Sequence, residues 1–120
     1  MKISILLPYK ENFSPDYPGA VSLFVYETTK NSNYKRKITI FGNTNFKKKF
    51  KLKYINIELK KDLFSSQTKK YVKKFINLEK ETNSQIIEVH NRPIYIQILK
   101  NEIKNKVFTL FFHNDPLSMD

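Results

Sequence analysis

The chain holds two histidines, and each follows an apolar run and precedes an asparagine. Gln85-Ile86-Ile87-Glu88-Val89 leads into His90-Asn91-Arg92-Pro93, and Val107-Phe108-Thr109-Leu110-Phe111-Phe112 leads into His113-Asn114-Asp115-Pro116. Imidazole and amide groups hydrogen-bond hydroxyls, and the fixed fork of Arg92 pairs with an anion. Each residue also has a plainer reading. Asn91 is the expected cap of a helix opening at Pro93, and His90 fits a satisfied, half-buried side chain. Asn114 or Asp115 either contacts a sugar or closes a polar turn.

A third constellation is Pro18-Gly19-Ala20-Val21, at the end of a loop rich in turn formers. Gly19 before an apolar helix permits a tight turn and close approach of a ligand to the backbone. The helix start then offers N–H groups and a positive dipole end to a phosphate. The other reading is a plain turn before a helix. A dinucleotide fingerprint is excluded, because the chain has only Gly19 and Gly42. The chain has no cysteine, which excludes a disulfide frame and thiolate chemistry. Metal-ligand spacings are absent and no cofactor is implied. A Ser-His-Asp or Cys-His triad has no complete set of members.

These tips need a scaffold, and the patterning supplies one. Residues 3–8 form a continuous apolar run ending at Pro8, the mark of a strand buried on both faces. Residues 20–29 read as a helix apolar around most of its girth, hence well buried. Residues 37–41 and 52–57 read as strands; the link between them is short for a helical crossover, so a hairpin stays open beside a parallel pair. Ser65 or Ser66 caps a helix running to about Thr82, with Tyr71, Val72, Phe75, Ile76 and Leu78 on one stripe and lysines over most of the rest. The strand at 85–89, a helix at 93–103 and a strand at 106–112 complete the series. Strands alternating with helices predict one Rossmann-like three-layer α/β/α domain over residues 1–120, with a mostly parallel sheet of about five strands. The sheet is expected to be incomplete at its C-terminal end. No helix follows the last apolar strand, so it needs cover from more chain or from a partner.

The length of 120 residues suits one domain, and 40% hydrophobic with 14% aromatic residues argues against disorder. The first apolar run is too short for a signal peptide or a membrane span, which points to the cytoplasm. The net charge of +11 invites an anionic partner. An A+T-rich coding sequence would raise lysine equally well without one. An anionic membrane face ranks ahead of nucleic acid for the basic helix and Lys47-Lys48-Lys49, because Tyr71 and Phe75 fall on the core stripe and not on a stacking surface.

In this order the pieces resemble the N-terminal domain of group 1 (family 4-like) glycosyltransferases of GT-B fold. The residues that carry the likeness are the strand 3–8, the loop into Pro18-Gly19-Ala20-Val21, the segment Glu88-Val89-His90-Asn91-Arg92-Pro93 and the segment Phe112-His113-Asn114-Asp115-Pro116. The resemblance implies metal-independent transfer with retention, from a nucleotide-sugar to a glycan or lipid-linked acceptor, in cell-envelope polysaccharide synthesis at the inner membrane face. It implies substrate contacts for Gly19, Ala20, His90, Asn91, Arg92, His113, Asn114 and Asp115. Two departures stand out: Pro18 replaces one of two adjacent glycines, and no pair of glutamates separated by seven residues occurs. The donor-binding C-terminal domain is therefore absent from these residues, and the domain is expected to be inactive alone. A non-catalytic basic module on membrane or nucleic acid, and a homodimer through the uncovered sheet or its edge, are the competing expectations.

Overall fold

The structure is a computed structural model that describes residues 1–60 and 66–113. Five strands form one all-parallel sheet: β1 (Ile3–Leu6), β2 (Ile38–Gly42), β3 (Tyr54–Asn56), β4 (Ile86–His90) and β5 (Val107–Phe111), in spatial order β3-β2-β1-β4-β5. Three α-helices lie on its faces: α1 (Ala20–Lys30), α2 (Gln67–Thr82) and α3 (Pro93–Glu102). This is the predicted Rossmann-like α/β/α arrangement. The chain reverses its direction of winding between β1 and β4, so the crevice beyond their C-terminal ends is the switch point of the sheet.

Local chemistry explains the helix bounds. Ser66 Oγ accepts the Lys69 N–H at the start of α2. Asn83, in the left-handed region at φ 49°, ends it, its N–H donating to Glu79 O. Pro93 opens α3, where its missing N–H has no cost. Asn91 does not cap this helix. Arg92 holds the cap position without a side-chain bond, and Asn91 turns the chain at φ 56°.

The two apolar layers have different builders. Leu6, Phe41, Ile87 and Val89 pack against Tyr71, Val72, Phe75 and Ile76 of α2 and Tyr95 and Leu99 of α3. On the other face Ile5, Leu7, Ile38 and Ile40 meet Val21 and Val25 of α1 and the loop residue Phe13. The hairpin alternative for β2 and β3 fails: Ile40 pairs with Tyr54 and Gly42 with Asn56 in parallel. Residues 43–53 make the crossover without a helix, and Phe50 and Leu52 supply the cover a helix would give. The ring of Phe50 stacks on Tyr26 at 4.0 Å and meets Phe13 edge-on at 5.0 Å.

Helix α1 is less buried than its composition suggests. Val21, Ser22, Val25 and Thr29 face the sheet, whereas Leu23 and Phe24 are exposed. This layer covers β1 to β3, and Phe24 of α1 reaches on to the tip of β5, its ring 5.0 Å from that of Phe111. Beyond it, Val107, Thr109 and Phe111 of β5 are exposed, while Phe108 and Leu110 on the opposite face pack into the α2–α3 layer. Among the described residues the last strand is covered mainly on one face.

Candidate functional site

Parallel pairing creates the site. Glu88 and His90 lie two residues apart on β4, so both side chains project from the same face. The register sets His90 opposite Phe111 on β5, and His113 follows two residues later. The outcome is a chain of short hydrogen bonds: Glu88 Oε2 to His90 Nε2 at 2.7 Å, and His90 Nδ1 to His113 Nε2 at 2.7 Å. His90 is 1% exposed, whereas the Glu88 carboxylate keeps partial contact with water.

The carboxylate dictates the tautomer. Ionised Glu88 can only accept, so His90 carries a proton on Nε2. With His90 neutral, its Nδ1 accepts from His113 Nε2–H, and His113 Nδ1 is left as the outer acceptor. Burial, together with the neighbouring His90, pulls the His113 imidazole below its usual value, against a smaller upward pull from Glu11 and Glu88. Neutral His113 is therefore the favoured form. Aromatic rings enclose the pair: Phe24 stands edge-on to His113 at 4.8 Å, and Phe111 stacks over His90 at 5.4 Å.

Asn91 is part of this arrangement. Its N–H donates to Phe111 O at 2.9 Å, and its Oδ1 accepts the His113 N–H at 2.8 Å. The left-handed turn at Asn91 therefore ties the tips of β4 and β5 together. Arg92 is exposed; its guanidinium donates to Asn91 O and interacts with the Tyr95 phenol. Asn114 and Asp115 lie outside the described residues.

The start of α1 differs from its expected role. Gly19 has φ −67° and ψ 156°, an extended conformation open to any residue. The space beside it is taken: a Cβ there would lie 1.7 Å from Glu11 Oε2, so the mobile end of the Glu11 side chain would have to move aside. That oxygen accepts the Ser22 N–H at 3.0 Å, so the chain's own carboxylate occupies the helix start that the sequence suggests for a phosphate. Ala20, the first helical residue, is exposed beside it.

The loop carrying Glu11 is anchored from three sides. Tyr71 OH donates to Leu7 O at 2.6 Å, and the Tyr9 N–H donates to Tyr95 OH at 2.9 Å. Thr44 Oγ1 accepts the Phe13 N–H and bonds to Tyr54 OH. Burial raises the phenols of Tyr71 and Tyr95 and lifts Tyr54 to about 12, so all three stay protonated; Tyr71 and Tyr54 donate, and Tyr95 accepts.

Of the sequence candidates, His90, Asn91 and His113 meet in one hydrogen-bonded group; Gly19 and Ala20 stand at a neighbouring strand tip. Glu88 and Glu11 are absent from the sequence candidates. A signal for Glu88 was present, since residues two apart on a strand share a face; Glu11 has no such mark. Among the described residues no group of three or more His, Cys, Asp or Glu is set to hold a metal ion, and no helix is long and apolar enough to cross a membrane. Comparison with protein-family models, with curated proteins and with solved structures returns no match.

Proposed function

We propose that this chain is the acceptor-side domain of a retaining glycosyltransferase, which works with a separate donor-binding domain to move a sugar from a nucleotide-sugar to a glycan or lipid-linked acceptor. The observation that carries the reading is the Glu88–His90–His113 chain of hydrogen bonds at the ends of two adjacent parallel strands. Ligands of open parallel sheets sit at such ends. In this role the outer Nδ1 of His113 orients a hydroxyl of the transferred sugar, and the buried His90 holds His113 in position. Glu88, acting through them, opposes the positive charge that grows at the anomeric carbon. The resemblance of the segments around His90 and His113 to group 1 glycosyltransferases supplies the reaction class.

The test is turnover by the complete gene product against a panel of nucleotide-sugars, read as nucleoside diphosphate release with and without acceptor. The expected result is consumption of at least one donor, and a loss of about a hundredfold or more in His90→Ala and His113→Ala. Failure to hydrolyse or transfer any donor overturns the reading.

A second reading has its own observation. Lys70, Lys73 and Lys74 of α2, with Lys60 and Glu58 from the segment after β3, surround a groove of about 430 Å³ with Leu59 and Leu78 in its lining. A basic rim over apolar side chains suits an anionic membrane surface. Co-sedimentation with phosphatidylglycerol vesicles that fades in salt, and no binding to phosphatidylcholine, is the expected result. Equal binding to both lipids, or to neither, removes this reading.

A further inference from the structure

A cavity of about 270 Å³ lies where the loops after β1 and β2 meet, lined by Lys10, Asn12, Asn43, Thr44, Asn45 and Phe46. It opens at the same end of the sheet as the histidine pair. Glu11 links the two places: Thr44 Oγ1 reaches Glu11 O at 3.4 Å, and the Glu11 carboxylate acts on His113. We propose that this cavity binds one sugar unit bearing an anionic group, the unit that accepts the transferred sugar. Its identity as acceptor rests on the glycosyl-transfer reading; its capacity to bind such a sugar does not.

The lining has the chemistry a sugar needs. A pyranose presents hydroxyls around its rim and C–H groups on its faces. Amide side chains donate and accept, which matches hydroxyls, and an exposed aromatic ring matches the C–H face. Three of the six lining residues are asparagines. Asn45 is exposed and makes no hydrogen bond among the described residues. Asn12 donates both Nδ2 hydrogens to its own loop, at Asp16 O and Tyr17 O, yet its Oδ1 is buried with no partner among the described residues. A buried acceptor left in this way is uncommon and asks for a donor. A ligand hydroxyl supplies one when the loop opens slightly.

The aromatic element is exposed. Tyr17 is 85% and Phe46 40% exposed, with ring centroids 6.4 Å apart. Neither ring belongs to the apolar layers of the fold. Lys10 supplies the positive charge. It lies in the left-handed region at φ 64°, as does Tyr17 at φ 53°, a conformation that non-glycine residues seldom hold and that clusters where a loop serves a ligand. The floor is rigid by contrast: Thr44 is buried and bound to Tyr54 OH, and its N–H donates to Asn56 Oδ1 at 2.8 Å.

The experiment is a nitrogen-15 NMR titration of the 120-residue chain with methyl glucuronide and, separately, methyl glucoside. Saturable shifts are expected at the Asn12 and Asn45 side-chain amides and at the backbone of residues 43–46, with the glucuronide about tenfold tighter. Lys10→Gln should reduce the glucuronide to the level of the glucoside, and Phe46→Ala should weaken both about tenfold. No saturable shift, shifts centred on His90 and His113, or unchanged affinity in both variants overturns the proposal. So does a single-stranded oligonucleotide that displaces the glucuronide at far lower concentration, which would assign the aromatics to base stacking. The two readings fail separately. Saturable binding in a protein that turns over no donor leaves the sugar site standing and removes only the transfer reaction.

Discussion

The carboxylate of Glu11 fills the space that a side chain on Gly19 would need. Two distant choices in the loop are thereby coupled. Gly19→Ala forces the Glu11 carboxylate away and strips the Ser22 N–H of its acceptor. A cost of about 1–2 kcal/mol follows. Glu11→Ala should cost a similar amount. With Glu11 already gone, Gly19→Ala should become neutral or stabilise by about 0.5 kcal/mol, because alanine suits the extended backbone there and restricts the unfolded chain. Urea midpoints of the two single variants and the double variant test this reversal of sign.

His113 should titrate below 6.5 in the folded protein, because burial and His90 disfavour its charge. Between its folded value and 6.5 the unfolded chain binds more protons, so stability rises with pH across that window and is lost as pH falls through it. Glu88→Gln removes one of the groups that raises His113, and its midpoint should move lower still. Proton NMR of the imidazole resonances follows both midpoints. A midpoint above 6.5, or no movement in the variant, would contradict the electrostatic account.

Asn91 supplies both a left-handed turn and an acceptor for the His113 N–H. Asn91→Gly keeps the turn and loses the acceptor, at about 1 kcal/mol. Asn91→Ala loses both and should cost about 1 kcal/mol more, through the strain of φ 56°. Thermal melts of the pair separate the two contributions. Equal loss in both variants would show that the turn carries no strain.

At the opposite end of the sheet Glu79 is 2% exposed, accepts the Ser84 N–H and pairs with Lys106 at 3.4 Å. Glu79→Ala should destabilise by about 3 kcal/mol, since it leaves a buried N–H without its acceptor and a mostly buried ammonium without its counter-charge, with only Ser84 O and Asn83 Oδ1 as its neutral acceptors. Chemical denaturation gives the value, and a loss under 1 kcal/mol would mean that water replaces the carboxylate.

Strands and helices were legible in the sequence because their signals are local. Ile86 to Val89 is β-branched and apolar, and Pro93 can only open a helix. The pairing of β2 with β3 was less legible, since Phe50 and Leu52 in an extended link replaced the helix that a parallel crossover usually needs. The meeting of His90 with His113 depends on the β4–β5 register, which no local pattern encodes. Asn91 reads as a cap in the sequence and turns the chain in the structure, because capping and left-handed turning favour the same residue type. The Glu11–Gly19 contact depends on the path of a loop, where the sequence names the turn formers but not the neighbours they create.

The place of β1 at the centre of the sheet also governs how the chain can fold. One edge of β1 pairs with β2, and the other waits for β4; Lys2 N–H bonds to Gln85 Oε1 across 83 residues. The first strand of this sheet in chain order is thus among the last to be satisfied on both edges. Such distant pairing slows folding and leaves an apolar strand exposed during synthesis. Early β1–β2–α1 association, with α2, β4, α3 and β5 docking later, is the order this connectivity favours. Slow-folding variants should therefore concentrate at Ile5, Leu6 and Ile40, with changes on β5 acting mainly on the rate of unfolding.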